Sequence, residues 1–407
     1  MTSEAHEPPA RYLVKAEYRH TEIGVIPTDW DVKRLRDISP NQSVGLVINP
    51  STYFDTKGTV PMLVGSNVAE NRIDWNGARR ISTASNERLP ASRVYAGDLV
   101  TVRVGDPGVT AVIPREYSGS NCASMMIVRS HPSFDSTWLC HLMNSSYGRS
   151  RIESVQYGTA QKQFNISDAV DFQYPVPPLA EQRAIATALS DVDALIAGLE
   201  RLIGKKRDIK QAAMQQLLTG QTRLPGFSGE WGSVALSSLA KIEKGQLITN
   251  DLLIPGEVPV IAGGKRPAYF HALANRTGKT ITISASGASA GYVALYDQPI
   301  FASDCSTISE ADTYCIDFLF FTLASRQNKI YSLQTGGAQP HVQPKDLAPL
   351  KIALPPCVDE QRAIANILSD MNVELSTLES RLAKTRLIKL GMMQELLTGR
   401  TRLVEQI

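Results

Sequence analysis

The hexapeptide EQRAIA occurs twice, at Glu181–Ala186 and at Glu360–Ala365, and each copy opens a segment that closes in LLTG-x-TRL, at Leu217–Leu224 and Leu396–Leu403. The offset is 179 residues at the start of the repeat, at its end and at the terminal arginines, Arg223 and Arg402. A repeat this long without insertion or deletion marks a duplicated structural unit, and the segments before each copy are then read as a duplicated layout.

Inside the repeat the apolar residues have a period. Ile185, Val192 and Leu199 are seven apart, as are Leu189, Ile196 and Ile203, and the second copy matches them with Ile364, Met371 and Leu378 and with Leu368, Leu375 and Leu382. This is the a/d seam of a coiled coil. Beyond it, Ile209–Ala213–Leu217 and Ile388–Met392–Leu396 take the looser spacing of a helix packing on a broader surface. Pro177–Pro178 and Pro355–Pro356 precede the two segments, and Gly220 and Gly399 stand where a C-terminal cap glycine belongs. A helix from Glu181 to Leu218 would be about 57 Å long. A long helix with one apolar stripe needs a partner, and the other copy is the nearest one. The basic runs Lys205, Lys206, Arg207, Lys210 and Lys384, Arg386, Lys389 read as a solvated coiled-coil flank. Gly198, Gly204 and Gly391 each cost roughly 1 kcal/mol relative to Ala inside a helix, which suggests close backbone approach or packing against a partner.

The intervening segments are rich in β-branched residues and glycine: Val60–Asn67, Gly97–Asp106, Ser233–Ile242 and Thr280–Gly287. Their edges also match. GTAQKQF (Gly158–Phe164) and GGAQPHV (Gly336–Val342) stand at similar distances before the two Pro-Pro pairs, while Gly24–Trp30 resembles Pro225–Trp231. The expected fold is therefore α+β: two strand-rich mixed α/β domains joined by two long antiparallel helices, pseudo-twofold and pseudo-cyclic, with Arg402–Ile407 returning near Arg19–Trp30. The expected boundaries are 1–176, 177–224, 225–354 and 355–407.

At 407 residues with 43% hydrophobic and 20% charged residues, the chain is a globular protein of more than one core, and its net charge of +2 neither announces nor excludes nucleic acid. The five cysteines contain no C-x-x-C pair and read as reduced thiols. The N-terminus, with Glu4, His6 and Glu7 before Pro8 and Pro9, lacks signal-peptide order, and no apolar run approaches the ~20 residues of a membrane span, so a cytoplasmic protein is expected.

Catalytic motifs are missing. Gly278–Thr280 reads Gly-Lys-Thr, but Leu273 stands where a phosphate-binding loop needs its first glycine. The three Pro-Pro pairs lack the Asn or Asp and the aromatic neighbour of an amino-methyltransferase motif, and no G-x-G-x-x-G opens a helix. No two of the six histidines have metal-ligand spacing with a third ligand nearby, and Asp55-x-Lys57 and Asp208-x-Lys210 lack an acidic partner in strand context. The chain reads as a device for holding and recognising.

PPLAEQRAIATALSDVDALI (Pro177–Ile196) and PPCVDEQRAIANILSDMNVEL (Pro355–Leu375), each leading to LLTG-x-TRL, resemble the conserved regions of the specificity subunit of Type I restriction-modification enzymes. VPVIAGGKRPAYF (Val258–Phe270) and ITISASGASAGYV (Ile281–Val293) are similar to one type of that family's target recognition domain, and GDLVTVRVGDPG (Gly97–Gly108) to another. The resemblance implies a non-catalytic DNA-binding subunit whose two recognition domains each read one half of a split, asymmetric site on double-stranded DNA, with the helices fixing the gap. It implies two modification (methyltransferase) subunits and restriction (ATP-dependent translocase and nuclease) subunits as partners. S-adenosylmethionine, ATP and magnesium would then belong to those partners, with no cofactor on this chain and no membrane. An enzyme of combined restriction type and a protein-binding scaffold are the competing readings.

Arg and Lys suit guanine, Asn and Gln suit adenine, and Lys, Arg, Ser and backbone amides suit phosphates. Polar residues in glycine-containing loops are thus the expected DNA contacts. They are Ser66, Asn67, Arg79, Arg80, Arg103, Gln161 and Lys162 in the first domain, and Lys265, Arg266, Tyr269, Ser286, Ser289, Gln339 and His341 in the second.

Overall fold

The computed structural model describes residues 18–159 and 161–403. The N-terminal stretch with Glu4, His6 and Glu7, Ala160 and the last four residues lie outside them. The chain forms two compact units: one holds the described residues up to Gly198 and again from Leu382, the other holds Leu199–Arg381.

Both units are built on one plan. In the first, a four-stranded antiparallel sheet has the order Thr110–Val112, Leu99–Val102, Met125–Val128, Gln42–Val44. In the second, the corresponding order is Val293–Tyr296, Thr280–Ser284, Cys305–Ser309, Glu243–Lys244. The central strands, LVTV and TITIS, are buried along their whole length and, Ser284 apart, consist of β-branched residues and leucine, the residue types that pack well on a pleated surface. Each unit adds a three-stranded sheet in which a Val-Pro strand pairs antiparallel on one side and parallel on the other. In the first unit Val60–Leu63 lies between Arg79–Ile81 and Asn121–Cys122; in the second Val258–Ile261 lies between Tyr269–His271 and Phe301–Ala302. A two-stranded ladder leads into each long helix: Asp31–Arg34 with Gln173–Val176, and Gly232–Ala235 with Lys351–Leu354.

The helices run Leu179–Leu217 and Val358–Leu396, 39 residues each and about 58 Å long. Their bounds differ by the same 179 residues as the repeat. Within each unit a stretch of one helix lies antiparallel to a stretch of the other, and most of the expected seam is inside: Ile185, Leu189 and Leu382 in the first unit and Leu199, Ile203, Ile364, Leu368 and Leu375 in the second are buried, while Val192, Ile196, Met371 and Leu378 are half-buried. After the seam the expectation of broad packing fails at Ile209 and Ile388, which are 43% and 50% exposed. The basic runs are more engaged than a solvated flank: Lys206 pairs with Glu374 at 2.7 Å and Arg207 with Glu379 at 2.5 Å in the second unit, and Lys389 with Asp193 at 2.5 Å in the first. Close backbone approach does not explain the helix glycines, because a Cβ at Gly198, Gly204 or Gly391 would meet nothing within 4 Å.

All five cysteines are free thiols. Burial pushes the Cys122 and Cys305 thiols up to about 12, so neither is a thiolate at neutral pH.

Candidate nucleic-acid interface

The repeated Glu-Gln and Thr-Arg-Leu residues clasp each unit. In the first, the fully buried carboxylate of Glu181 receives Nε and Nη2 of Arg402 at 2.8 Å each, the Leu403 amide at 3.1 Å and the Trp30 indole at 2.9 Å. Asp29 holds the outer side of the same guanidinium at 2.9 and 2.7 Å, and these carboxylates push the Arg402 pKa further up. In the second unit, Arg223 takes the fully buried Glu360 at 2.6 and 2.8 Å. Bidentate charge-assisted pairs of this kind fix orientation as well as distance. The adjacent glutamine also has a task. Gln182 Oε1 accepts the Asp135 amide and Gln361 Oε1 the Cys315 amide, both at 2.8 Å, at the starts of the equivalent helices Ser136–Asn144 and Ile316–Ser325. Gly220 and Gly399 end the long helices at φ +72° and +73°, a conformation that favours glycine.

On this frame, two loops meet in each unit. In the first, the loop following the central strand is bridged to GTAQKQF through Val104 and Gln163, and the Gly105 amide donates to the Lys162 carbonyl at 3.1 Å. In the second, Ser286 and His341 form the same bridge, and the Gly287 amide donates to the Pro340 carbonyl at 3.0 Å. Gly158 and Gly336 have φ of +95° and +93°, and a Cβ there would stand 2.4 and 2.8 Å from the carbonyls of Gln161 and Gln339. The shared Gly and Gln of the two heptapeptides are thus a backbone requirement and an exposed amide at the loop tip.

The sequence candidates fall into three groups. Gln161, Lys162, Gln339 and His341 lie on these loops, with the first three exposed and His341 half-buried. Arg103, Ser286 and Ser289, on the loops opposite, are half-buried; Arg103 Nε donates to the Phe164 carbonyl at 3.4 Å, and Ser286 Oγ is hydrogen-bonded to Asp304. Ser66, Asn67, Lys265 and Arg266 lie on the loops after the two Val-Pro strands, with Arg79, Arg80 and Tyr269 on the returning strands. Ser66, Lys265, Arg266, Arg79, Arg80 and Tyr269 are exposed, whereas Asn67 is buried and its Oδ1 accepts the Val64 amide at 3.0 Å. Its amide side chain therefore serves the loop fold. Arg80 Nη1 is held at 2.8 Å by the Thr59 carbonyl, which leaves the rest of its fork available. Lys265 sits 5.5 Å over the Tyr292 ring.

Three features escaped the sequence reading. Asp304 backs Ser286; the Ser-x-Ser loop and the Asp-Cys that carries this partner were both legible, but nothing joined them. Phe270 occupies the register position of Arg80, since Pro61 faces Arg80 and Pro259 faces Phe270. His141, 1% exposed, lies 4.0 Å from Asp193, and burial holds its pKa low, at about 4. Among the described residues no three His, Cys, Asp or Glu side chains gather at metal-binding distance.

Two strand-rich domains of one topology, each clasped to long paired helices and each presenting a glycine-built loop pair, define a duplicated recognition subunit. The sequence matches the Type I restriction modification DNA specificity domain twice, over residues 27–210 and 228–385, and the chain belongs to that family. It is 22% identical over 441 residues to the putative type I restriction enzyme MjaX specificity subunit of Methanocaldococcus jannaschii, covering 96% of this chain and 98% of that one. A putative type I specificity subunit of Mycoplasma pneumoniae is 30% identical over 166 residues, 40% of this chain and 44% of that one. The fold is that of the crystal structure of a Type I restriction-modification S subunit from M. genitalium, with a TM-score of 0.65 at 16% identity, covering 90% of this chain and 96% of that one. A chain from a type I R-M system has a TM-score of 0.56 at 18% identity, covering 92% and 99%. No helix among the described residues is long and apolar enough to cross a membrane.

Proposed function

We infer that this chain is the DNA specificity subunit of a Type I restriction-modification complex and that each recognition domain reads one half of a split, asymmetric site. The observation that carries this is the pairing of a repeated frame with unlike side chains on the hairpins. The clasps, strand orders and glycine loops repeat, while Arg79 and Arg80 stand where the second domain has Tyr269 and Phe270. Two readers of one palindromic half-site would have no reason to diverge at those positions.

In this reading the paired helices set the gap between half-sites. A helix of about 58 Å exceeds the ~34 Å of one DNA turn, the spacing at which two half-sites present the same face. The helices also dock two modification subunits. Leu195, Leu202 and Ile209, seven apart, are 44%, 39% and 43% exposed, and Val373, Leu387 and Leu390 are each above 60%. Exposed apolar residues at heptad spacing, as at Leu195, Leu202 and Ile209, are what a further helix packs on. Methyl transfer and cleavage, with their S-adenosylmethionine, ATP and magnesium, then reside in the modification and restriction subunits, and this chain contributes base readout.

The purified chain incubated with S-adenosylmethionine and genomic DNA should transfer no methyl groups. The same chain assembled with its methyltransferase subunits should methylate one split, asymmetric sequence. Transfer by the chain alone would identify an enzyme, and a chain that captures no methyltransferase subunit would be a scaffold.

A further inference from the structure

The two Val-Pro hairpins share a backbone and differ in chemistry. In the first domain the returning strand presents Arg79 and Arg80; in the second, at the same register, it presents Tyr269 and Phe270, which are 41% and 60% exposed. An exposed phenylalanine on a short strand is not there for the core: the next residue, His271, is the one that turns inward, and its Nδ1 accepts the Ile254 amide at 2.9 Å. That bond, with the Ala272 amide donating to the Ile254 carbonyl, lays a second apolar stretch along the hairpin, where Leu252, Ile254 and Leu273 are all more than half exposed. The turn of the hairpin carries Lys265 and Arg266, both exposed. A hairpin with exposed apolar side chains along its strand and two cations at its turn fits a ligand that joins an apolar group to an anionic backbone. A duplex DNA groove with a thymine 5-methyl beside the phosphates is such a ligand.

We propose that Phe270 reads a thymine methyl group in the half-site contacted by the second domain, with Lys265 and Arg266 on the flanking phosphates. This deepens, and rests on, the reading of the chain as a DNA specificity subunit. The first domain's hairpin, with two guanidiniums at the matching positions, takes guanine instead. The two half-sites then differ in kind at the base step facing the hairpin: one is read by charge-assisted hydrogen bonds, the other by apolar contact.

The test uses the complex of this chain with its methyltransferase subunits. Its recognition sequence is read from the adenines it methylates, and binding is measured on synthetic duplexes in which each thymine of both half-sites is replaced singly by deoxyuridine, which removes only the methyl. The wild-type complex should lose about fourfold in affinity at one thymine of one half-site, the effect of one buried methyl-sized group. Phe270→Ala should bind thymine and uracil alike there and keep every other preference. Phe270→Arg, which copies Arg80, should also lose the methyl preference and steepen the salt dependence of binding by about one unit of slope. Methyl sensitivity that survives in both variants, or a sequence-selective complex indifferent to every methyl, overturns the assignment to Phe270 alone. A complex with no sequence preference overturns the base-reading role with it.

Discussion

The two units differ least where they hold themselves together and most where they face outward. Both buried glutamates meet an arginine through two hydrogen bonds, and both glutamines cap the same domain helix. At the helix seam the likeness already weakens. Asp193 and Lys389 form an ion pair at 2.5 Å beside a cavity of about 580 Å³. Their repeat counterparts, 179 residues away, are Asn372 and Lys210 beside one of about 450 Å³, where burial pushes the lysine pKa down and Glu379 opposes it. Above Asp193 sits His141, while the matching position in the second unit, counted from Asp135 and Cys315, is Phe321 in an apolar cluster with Leu217 and Leu368. Duplication fixes the clasp that every copy needs mechanically and leaves other positions free, inside the unit as at His141 and Phe321 and on its face as at Arg80 and Phe270.

The largest expected effect breaks the likeness at its root. Glu181→Ala leaves the Trp30 indole without a partner and the Arg402 guanidinium with Asp29 alone, and the first unit should lose about 3 kcal/mol, the lower end of the cost of breaking a buried pair. Glu360→Ala should do the same to the second unit, where Arg223 also keeps the carbonyls of Ser228 and Gly229. Calorimetry in which either variant melts like the wild type would show the clasp to be dispensable. A smaller effect separates the units by pH. His141 is buried neutral, so as pH falls below about 6.5 the unfolded chain takes up a proton that the folded chain refuses until near 4. Stability should therefore fall through that window by up to about 1.4 kcal/mol per pH unit, and His141→Phe should flatten the curve. Urea unfolding at pH 5 and 7.5 reads this directly, and an unchanged pH dependence in the variant would remove the histidine from the account. Smaller again is the helix stop: Gly399→Ala should cost about 1–2 kcal/mol for the left-handed backbone. It should also cost more than Gly220→Ala, because its Cβ would press the Pro27 ring at 2.5 Å rather than the Trp231 ring at 2.9 Å. Equal melting points for the two variants would contradict that ranking.

The sequence shows some of this and hides the rest for physical reasons. The helices were legible to within two residues, because a seven-residue period bounded by prolines and glycines admits little else. The loop pairs are legible through GTAQKQF and GGAQPHV, whose glycines the backbone geometry requires and whose glutamines stand exposed at the loop tips. The clasp was not, since Glu181 and Arg402 lie 221 residues apart and nothing local ties them. Asn67 looked like a reader because it sits in a Gly-Ser-Asn loop, yet such loops also need an amide to cap their own turn. Ile209 and Ile388 continue an apolar spacing after the surface that would bury them has ended, and periodicity alone does not show where that surface stops.

The central claim is that one frame carries two separate readers. It is tested most directly by mapping methylated adenines genome-wide for the assembled complex with Arg79→Ala and Arg80→Ala in the first domain alone. The account predicts relaxed sequence preference at one or two positions of one half-site, each worth about 1–3 kcal/mol, with the other half-site and the gap unchanged. Relaxation in both halves, or uniform loss on every sequence, would contradict it.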